Sequence, residues 1–299
     1  MNPVPLDSKD LALVHLLQQD GRASYEALAA GIGLSRAATR TRVLRLVEEE
    51  IVRITGIVHP AVLGRTVCAH VAVAVDGPAA PTAHALAALP EAVFVTLAAG
   101  RRPVMAELRT ESFDALGALL ARLSRLPGVR AVDTTPYTAV VKDPYLPTEP
   151  PDAVGLDETD HAILRALQSD GRMSYAVLAE RVGMSPAAAR ARSLRLLEAG
   201  VFRVAALTRP GVVGLGHLAG FALRRDGTGP GARELVAADA VQFAAECVGR
   251  ADVIGTVGGA TLDAVLSALE ELRATEGVHS LESWFHLELV QERYDSVPR

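Results

Sequence analysis

One feature limits the fold of this 299-residue chain more than any other: it is written twice. The block LDSKDLALVHLLQQDGRASYEALAAGIGLSRAATRTRVLRLVEEEIVR, from Leu6, aligns without a gap to LDETDHAILRALQSDGRMSYAVLAERVGMSPAAARARSLRLLEAGVFR, from Leu156, with roughly half the positions identical. A period near 150 is too long for a solenoid unit and suits one domain or a small two-domain protein. Two like halves are therefore expected, joined by KDPYLPTEPPDAVG, a proline-rich, polar stretch that reads as a semi-rigid linker.

Each block carries three helix signals. Leu6-Asp7 opens a helix with Leu11, Val14, His15 and Leu17 at helical spacing, and Asp20-Gly21-Arg22 stops it, with Gly21 expected to supply a positive φ. Ser24 and Tyr25, with their copies Ser174 and Tyr175, open the second helix, where a contact to a nucleic-acid phosphate is a further expectation. Gly33 to Ser35 form a tight turn, after which Ser35 caps a third helix reaching about Glu49. Short helices with a glycine turn between the second and third are the pattern of a helix-turn-helix. The tail IVRITGIVHP is β-rich and is expected as a wing or a connecting strand.

The texture then changes in both halves to strand, helix, strand, strand, helix, strand, the ferredoxin-like βαββαβ order. The expected class is α+β, with two helix-turn-helix (winged-helix-like) domains and two ferredoxin-like domains forming a pseudo-dimer in one chain. The boundaries read 1–60, 61–143, linker 144–155, 156–210 and 211–299. Strands such as HVAVAV show little polar alternation, so the exposed sheet faces must be covered, and the two sheets are expected to cover each other.

A net charge of −5 excludes a generally basic surface but not a local basic face. Cys68 and Cys247 are too few for a disulfide framework and lack metal-ligand spacing, so buried, reduced thiols are expected. The N-terminal residues lack a secretory pattern and no apolar run reaches membrane length, so a cytoplasmic protein without membrane association is expected. No nucleophile set, phosphate loop or metal motif stands out; neither catalytic residues nor cofactors nor metals are expected. His217, His279 and His286 fall in one domain, and a lone strand histidine is more often packed than catalytic.

The third helices hold the chemistry. Arg36, Arg40, Arg42 and Arg45 lie on the first; Arg190, Arg192 and Arg195 lie on the second. Guanidinium forks suit guanine edges and phosphate oxygens, and a helix N-terminus adds backbone N–H donors. The plainer reading is a solvated helix face, but three of the arginines recur at equivalent positions in both copies. Arg42 and Arg192 border the stripe of Leu46 and Leu196, where stabilising the motif competes with touching phosphate. Candidate DNA-binding residues are Ser35, Arg36, Thr39, Arg40, Arg42, Arg45, Ser185, Arg190, Arg192 and Arg195. The helices differ at Arg36 against Pro186 and Thr39 against Ala189, so unlike half-sites are expected.

The pattern DGR.S...LA...G.S followed by R..RL.E resembles the leucine-responsive regulatory protein/AsnC family of transcription regulators. The resemblance implies double-stranded DNA as partner, a small-molecule effector of the amino-acid class, and homo-oligomers of pseudo-dimers. It also implies an effector loop with a glycine, two residues and an aspartate, met here as Gly249, Arg250 and Asp252. The first half keeps Gly100 but has Pro103 in place of the acid, so its effector-domain likeness is expected to be weaker and its site lost or altered. Glu50 stands where Gly200 ends the other third helix, and a different helix closure is expected because Glu tolerates positive φ poorly. Two alternatives remain open: a siroheme decarboxylase-like enzyme, which would share this architecture, and helix-turn-helix units that only dimerise.

Overall fold

The computed structural model describes residues 6–151, 155–208 and 210–294. The first five residues expected in domain 1–60, the centre of the linker at 152–154, residue 209 and the end of domain 211–299 lie outside them. The chain forms two compact units, each drawn from both halves: one from Met1–His59 and Tyr145–Gly214, the other from Pro60–Pro144 and Leu215–Ser296. Among the described residues no helix is long and apolar enough to cross a membrane.

The first unit holds both repeated blocks. Helices α1 (Ser8–Gln19), α2 (Tyr25–Ile32) and α3 (Arg36–Glu48) precede strand β1 (Val52–Val58); α6 (Glu158–Ser169), α7 (Tyr175–Val182) and α8 (Pro186–Glu198) precede β6 (Phe202–Thr208). Local chemistry sets the boundaries identically in both copies. Asp7 caps α1 by accepting from the Asp10 N–H at 2.8 Å while Asp10 accepts from the Asp7 N–H at 3.2 Å, a reciprocal capping box repeated by Asp157 and Asp160. Ser24, Ser35, Ser174 and Ser185 each cap the next helix through their hydroxyls. Gly33 and Gly183 make the turns with φ of 65° and 70°.

Strand β1 is not a wing on its own block. It pairs antiparallel with β6 of the other copy, Thr55 opposite Ala205, as a two-stranded ribbon. Gly21 also departs from expectation: the C-cap of α1 is Asp20 in extended conformation, and Gly21 is not among the positive-φ residues. Glycine is required there by close approach. A Cβ on Gly21 would lie 2.9 Å from Val204 Cγ1 and 3.0 Å from the Ala205 nitrogen, and one on Gly171 would lie 2.6 Å from Val204 Cγ1. Glu50 takes the left-handed φ of 53° and closes α3 as Gly200, at 68°, closes α8. In both, the next residue's N–H reaches back to Leu46 or Leu196, so the expected difference in closure is absent and strain replaces it. Linker residues Tyr145 and Leu146 are buried rather than extended into solvent.

The second unit is a barrel. In the first half β2 (Val67–Val75), α4 (Ala80–Ala87), β3 (Ala92–Ala98), β4 (Val104–Thr110), α5 (Phe113–Leu123) and β5 (Val129–Lys142) follow the expected order. In the second, β7 (His217–Arg225), α9 (Ala232–Leu235), β8 (Val241–Cys247), β9 (Val253–Gly259), α10 (Leu262–Ala274) and β10 (Val278–Glu292) repeat it, with α9 cut to one turn. Rather than two sheets stacked with free edges, the sheets join edge to edge, β5 to β8 and β10 to β3, into a closed eight-stranded barrel. Closure leaves no unpaired edge in either half. Alternation along the strands splits the core three ways. Ala69, Val71 and Val73 face Leu86, Leu116 and Leu119; Ala219, Phe221 and Leu223 face Val265 and Leu269; Ala72, Ala98, Ala222, Ala245 and Trp284 fill the barrel.

Candidate nucleic-acid interface and effector site

Helix α3 presents a restricted exposed face. Ser35, Arg36, Ala37, Arg40 and Thr41 are exposed, and so are Ser185, Pro186, Ala187, Arg190 and Ala191 on α8. The Ser35 and Ser185 hydroxyls accept from Ala38 and Ala188 N–H groups at 3.2 and 3.3 Å, so both serines build the helix N-terminus they adorn. Thr39 is a correction. It is fully buried with its hydroxyl donating to the Ser35 carbonyl at 3.0 Å, and its counterpart Ala189 is buried too. The exposed difference between the copies falls instead at Thr41 against Ala191, beside Arg36 against Pro186.

Four of the arginines have partners within their own block. Arg42 donates to Asp7 at 2.7 Å and to Asp10 at 2.8 Å, and Arg45 donates to Asp10 at 2.6 Å. Arg192 and Arg195 repeat this on Asp157 and Asp160 at 2.6, 3.0 and 2.6 Å. Asp10 and Asp160 are each 1% exposed, so two guanidiniums neutralise each buried carboxylate and pin the third helix to the first. The Asp10 backbone N–H and then the Arg42 guanidinium hold the Asp7 carboxyl below its usual range; Arg192 leads the same effect at Asp157. Arg42, Arg45, Arg192 and Arg195 thus stabilise the motif. Arg36, Arg40 and Arg190 form no ion pair or side-chain hydrogen bond among the described residues.

A further repeated arginine, Arg22 with Arg172, joins the copies, a role that no expectation above gives it. Arg22 donates to the Gly171 and Met173 carbonyls at 2.7 and 3.1 Å and lies 4.6 Å from the Tyr175 ring centroid. Arg172 mirrors it, reaching the Gly21 and Ala23 carbonyls at 2.9 Å each, 4.7 Å from the Tyr25 ring. One face of each tyrosine ring is therefore covered by a cation of the opposite copy. The available signal was DGR.SY itself, spelled twice outside the third helix.

In the barrel unit, Gly249 has φ of 112° in an exposed loop, and Gly100 matches it at 122°. Arg250 donates to Glu282 at 2.9 Å and lies 3.9 Å from Asp133, which also pairs with Arg102. Two cations and two anions from both halves meet at this end of the strands. Asp252, expected to receive an amino group, spends one carboxylate oxygen on the Arg225 N–H at 2.7 Å, while its own N–H extends the β7–β9 ladder to Leu223 at 2.9 Å. Pro103 has no N–H for such a bond, but its carbonyl accepts from Ala98 as that of Asp252 accepts from Cys247.

A small cavity of about 30 Å³ lies inside the barrel, lined by His70, Phe94, Glu107, Tyr137, Trp284 and His286 among others. Burial pushes His70 down to about 3 and His286 down to about 4, so both are neutral at physiological pH. His286 Nδ1 meets Thr96 Oγ1 at 2.7 Å, while its Nε2 and the Trp284 Nε1 are buried without partners. The histidine grouping expected within one domain is not what forms: His217 and His279 are exposed, and His286 meets His70 of the other half. Cys247 is buried and Cys68 half-buried, both free, and burial pushes their thiols up to about 12 and about 11. Among the described residues no group of three or more His, Cys, Asp or Glu side chains could hold a metal ion.

An AsnC-type helix-turn-helix domain model matches residues 6–47 and again 156–197, and an Lrp/AsnC ligand binding domain model matches 66–147. The second match corrects the expectation of a weaker effector domain in the first half. That expectation rested on Pro103 alone, whereas strands β2 to β5 carry the match. The HTH-type transcriptional regulator FL11 of Pyrococcus horikoshii is 30% identical over 133 residues, 44% of this chain and 88% of its own length. An uncharacterized HTH-type transcriptional regulator of Pyrococcus abyssi is 28% identical over 145 residues, 48% of this chain and 92% of its own length. A nearly complete regulator thus corresponds to about half of this chain. The crystal structure of the siroheme decarboxylase NirDL superposes with a TM-score of 0.65 over 95% of this chain and 93% of its own, at 16% identity, a likeness of fold. Two helix-turn-helix blocks on paired βαββαβ halves make this chain a member of the Lrp/AsnC family of DNA-binding transcriptional regulators, a tandem fusion of two protomers.

Proposed function

We propose that the chain regulates transcription by holding one operator with α3 and α8, in response to an amino acid or similar small zwitterion. The observation that carries the reading is the pair Arg40 and Arg190: equivalent, exposed, one turn into each third helix, and free of the acidic partners that occupy their neighbours. Arg36 adds donors on the first helix only, where the second has Pro186, which favours unlike half-sites. For the effector, Arg102 and Arg250 suit a carboxylate, and Asp133 and Glu282 suit an ammonium, with Gly249 leaving the loop backbone open. The first-half loop, with Pro103, is read as altered, so the site is one shared between halves rather than two. Phe113 and Leu262, 64% and 54% exposed at the starts of α5 and α10, support assembly of several chains.

A catalytic role in tetrapyrrole chemistry is the second reading, favoured by the fold shared with the siroheme decarboxylase NirDL and by His70 and His286 lining the barrel cavity. The test begins with selection of bound DNA from a random pool, with and without each amino acid. The Arg40→Ala/Arg190→Ala protein should then bind the selected operator on the order of 100-fold more weakly in a gel shift, at unchanged helicity. Unchanged affinity removes the arginine assignment; no enriched DNA, together with a tetrapyrrole absorbance band on purification, removes the regulator reading for this chain.

A further inference from the structure

We infer that the reciprocal Arg22–Tyr175 and Arg172–Tyr25 clamps set the distance and angle between the two DNA-reading helices, and so fix the half-site spacing the protein accepts. The inference rests on the operator reading above but concerns residues that touch no DNA in it.

Each helix-turn-helix also leans on the other copy. Helix α1 packs on β6 and α6 packs on β1, each on the other copy's strand. The Gly21 N–H donates to the Val204 carbonyl at 2.8 Å, and the Gly171 N–H to the Ile54 carbonyl at 2.9 Å. Asp20 then accepts from the Arg22 N–H at 2.8 Å and Asp170 from the Arg172 N–H at 2.9 Å, turning each arginine toward the opposite copy. The carbonyls these arginines grip, Gly171 and Met173 or Gly21 and Ala23, lie immediately before the N-caps Ser174 and Ser24. Each tyrosine is the first residue of α7 or α2. Each arginine therefore ties the end of its own first helix to the start of the other copy's second helix. Only the glycine turn at Gly183 or Gly33 separates that second helix from the DNA-reading one.

The guanidinium geometry is what the position uses. A planar fork meets two carbonyls while its face covers an aromatic ring; a lysine ammonium keeps the charge but cannot do both. Because the clamps occur in both directions, sliding one copy relative to the other breaks both at once.

Successive base pairs advance a half-site by about 3.4 Å and rotate it by about 35°. Operators from the selection, rebuilt with one, two or three base pairs inserted between half-sites, measure how strictly spacing is read. The full-length protein should lose about 10-fold or more in affinity on the first insertion. Arg22→Lys/Arg172→Lys should lose less than about 3-fold on the same insertion, while binding an isolated half-site as the parent does. A destabilised head would instead weaken the half-site and every spacing together. Equal spacing profiles for parent and variant overturn the inference, as does a parent indifferent to spacing. If the double variant does not fold, Arg22→Lys and Arg172→Lys singly must each broaden the profile, and a sharp profile in both overturns it. Failure of the parent to bind any selected DNA would sink the operator reading itself.

Discussion

The two repeated blocks and the two barrel halves descend from one duplication yet have diverged to different degrees. In the first unit almost every working contact exists twice. Capping boxes, Asp10 and Asp160 pins, serine caps and arginine clamps match within a few tenths of an ångström. Inside the barrel the equivalents no longer match. His70 stands at the position that Gly220 holds in the other half, a Cβ on Gly220 would lie 2.2 Å from Trp284, and Trp284 has Thr135 as its own counterpart. Glu107 and Arg109 form a buried ion pair at 2.8 Å where the other half has Thr256 and Gly258. Contacts that cross the pseudo-twofold axis in both directions constrain both copies alike. A central cavity meets the axis once, and each half was free to supply a different part of its lining.

Acid should separate the two regions most sharply. In the unfolded chain His70 and His286 titrate near 6.5, whereas in the barrel they titrate near 3 and 4. As pH falls below 6.5 the unfolded state takes up protons that the barrel refuses, so barrel stability declines through the window from 6.5 to about 4 for His286 and on to about 3 for His70. In the first unit the lowered carboxyls of Asp7 and Asp157 add stability that is present above 3.8 and lost only as pH falls below it. Trp284 is the chain's sole tryptophan and sits 5.3 Å from the His70 ring, so its emission reports the barrel. Its fluorescence transition should coincide with loss of the minor share of helical circular dichroism that α4, α5 and α10 supply, and should lie at least one pH unit above loss of the larger share from α1–α3 and α6–α8. Loss of both shares together would mean that the buried histidines do not set the barrel's acid limit.

The next comparison lies within the first unit. Asp10→Ala and Asp160→Ala each remove a buried carboxylate and strand two arginines, which water partly rescues because Arg42 and Arg45 retain 28% and 38% side-chain exposure. A loss of about 2 kcal/mol is expected for each, below the range for a fully buried pair. The two values should agree within about 0.5 kcal/mol in urea unfolding. A large difference would show that the pins, despite their shared geometry, do unequal work.

How much of this was legible in the sequence follows from where each signal is stored. Helix starts at Asp7, Ser24 and Ser35 were readable because capping depends on neighbours within three residues. A stabilising role for Arg42 is legible from its place beside Leu46, but its partner, and the same role for Arg45, are not, because Asp10 lies more than thirty positions away and only the packing of α3 on α1 joins them. Thr39 passed as a DNA-facing residue because polarity alone cannot tell an exposed hydroxyl from one bonded to its own helix. Gly21 reads as a required glycine from the sequence, but the reason differs: close approach and positive φ both demand glycine, and only the β6 backbone beside it decides between them. The barrel's closure and the His70–Trp284–His286 lining depend on strand pairing between halves, which a local pattern does not record.

The smallest expected effect tests whether the copies are equal beneath their differences. Glu50 and Gly200 occupy the same left-handed position, and each closes its helix with the same two backbone bonds, Glu50 to Val47 and Ile51 to Leu46 matching Gly200 to Leu197 and Val201 to Leu196. A side chain in that region costs roughly 1–2 kcal/mol, and glycine's extra freedom in the unfolded chain takes back about 0.5–1. Glu50→Gly should therefore stabilise the first unit by about 0.5–1 kcal/mol, raising its thermal midpoint. Gly200→Glu should lower it by a similar amount, because a Cβ there meets nothing closer than Pro151 at 3.7 Å and only the backbone conformation is penalised. The exchange carrying both changes should then return close to the parent. A double variant well below it would place a favourable contact on the Glu50 carboxylate, one that the second copy lacks, and the strain at Glu50 would then be a cost retained for that contact.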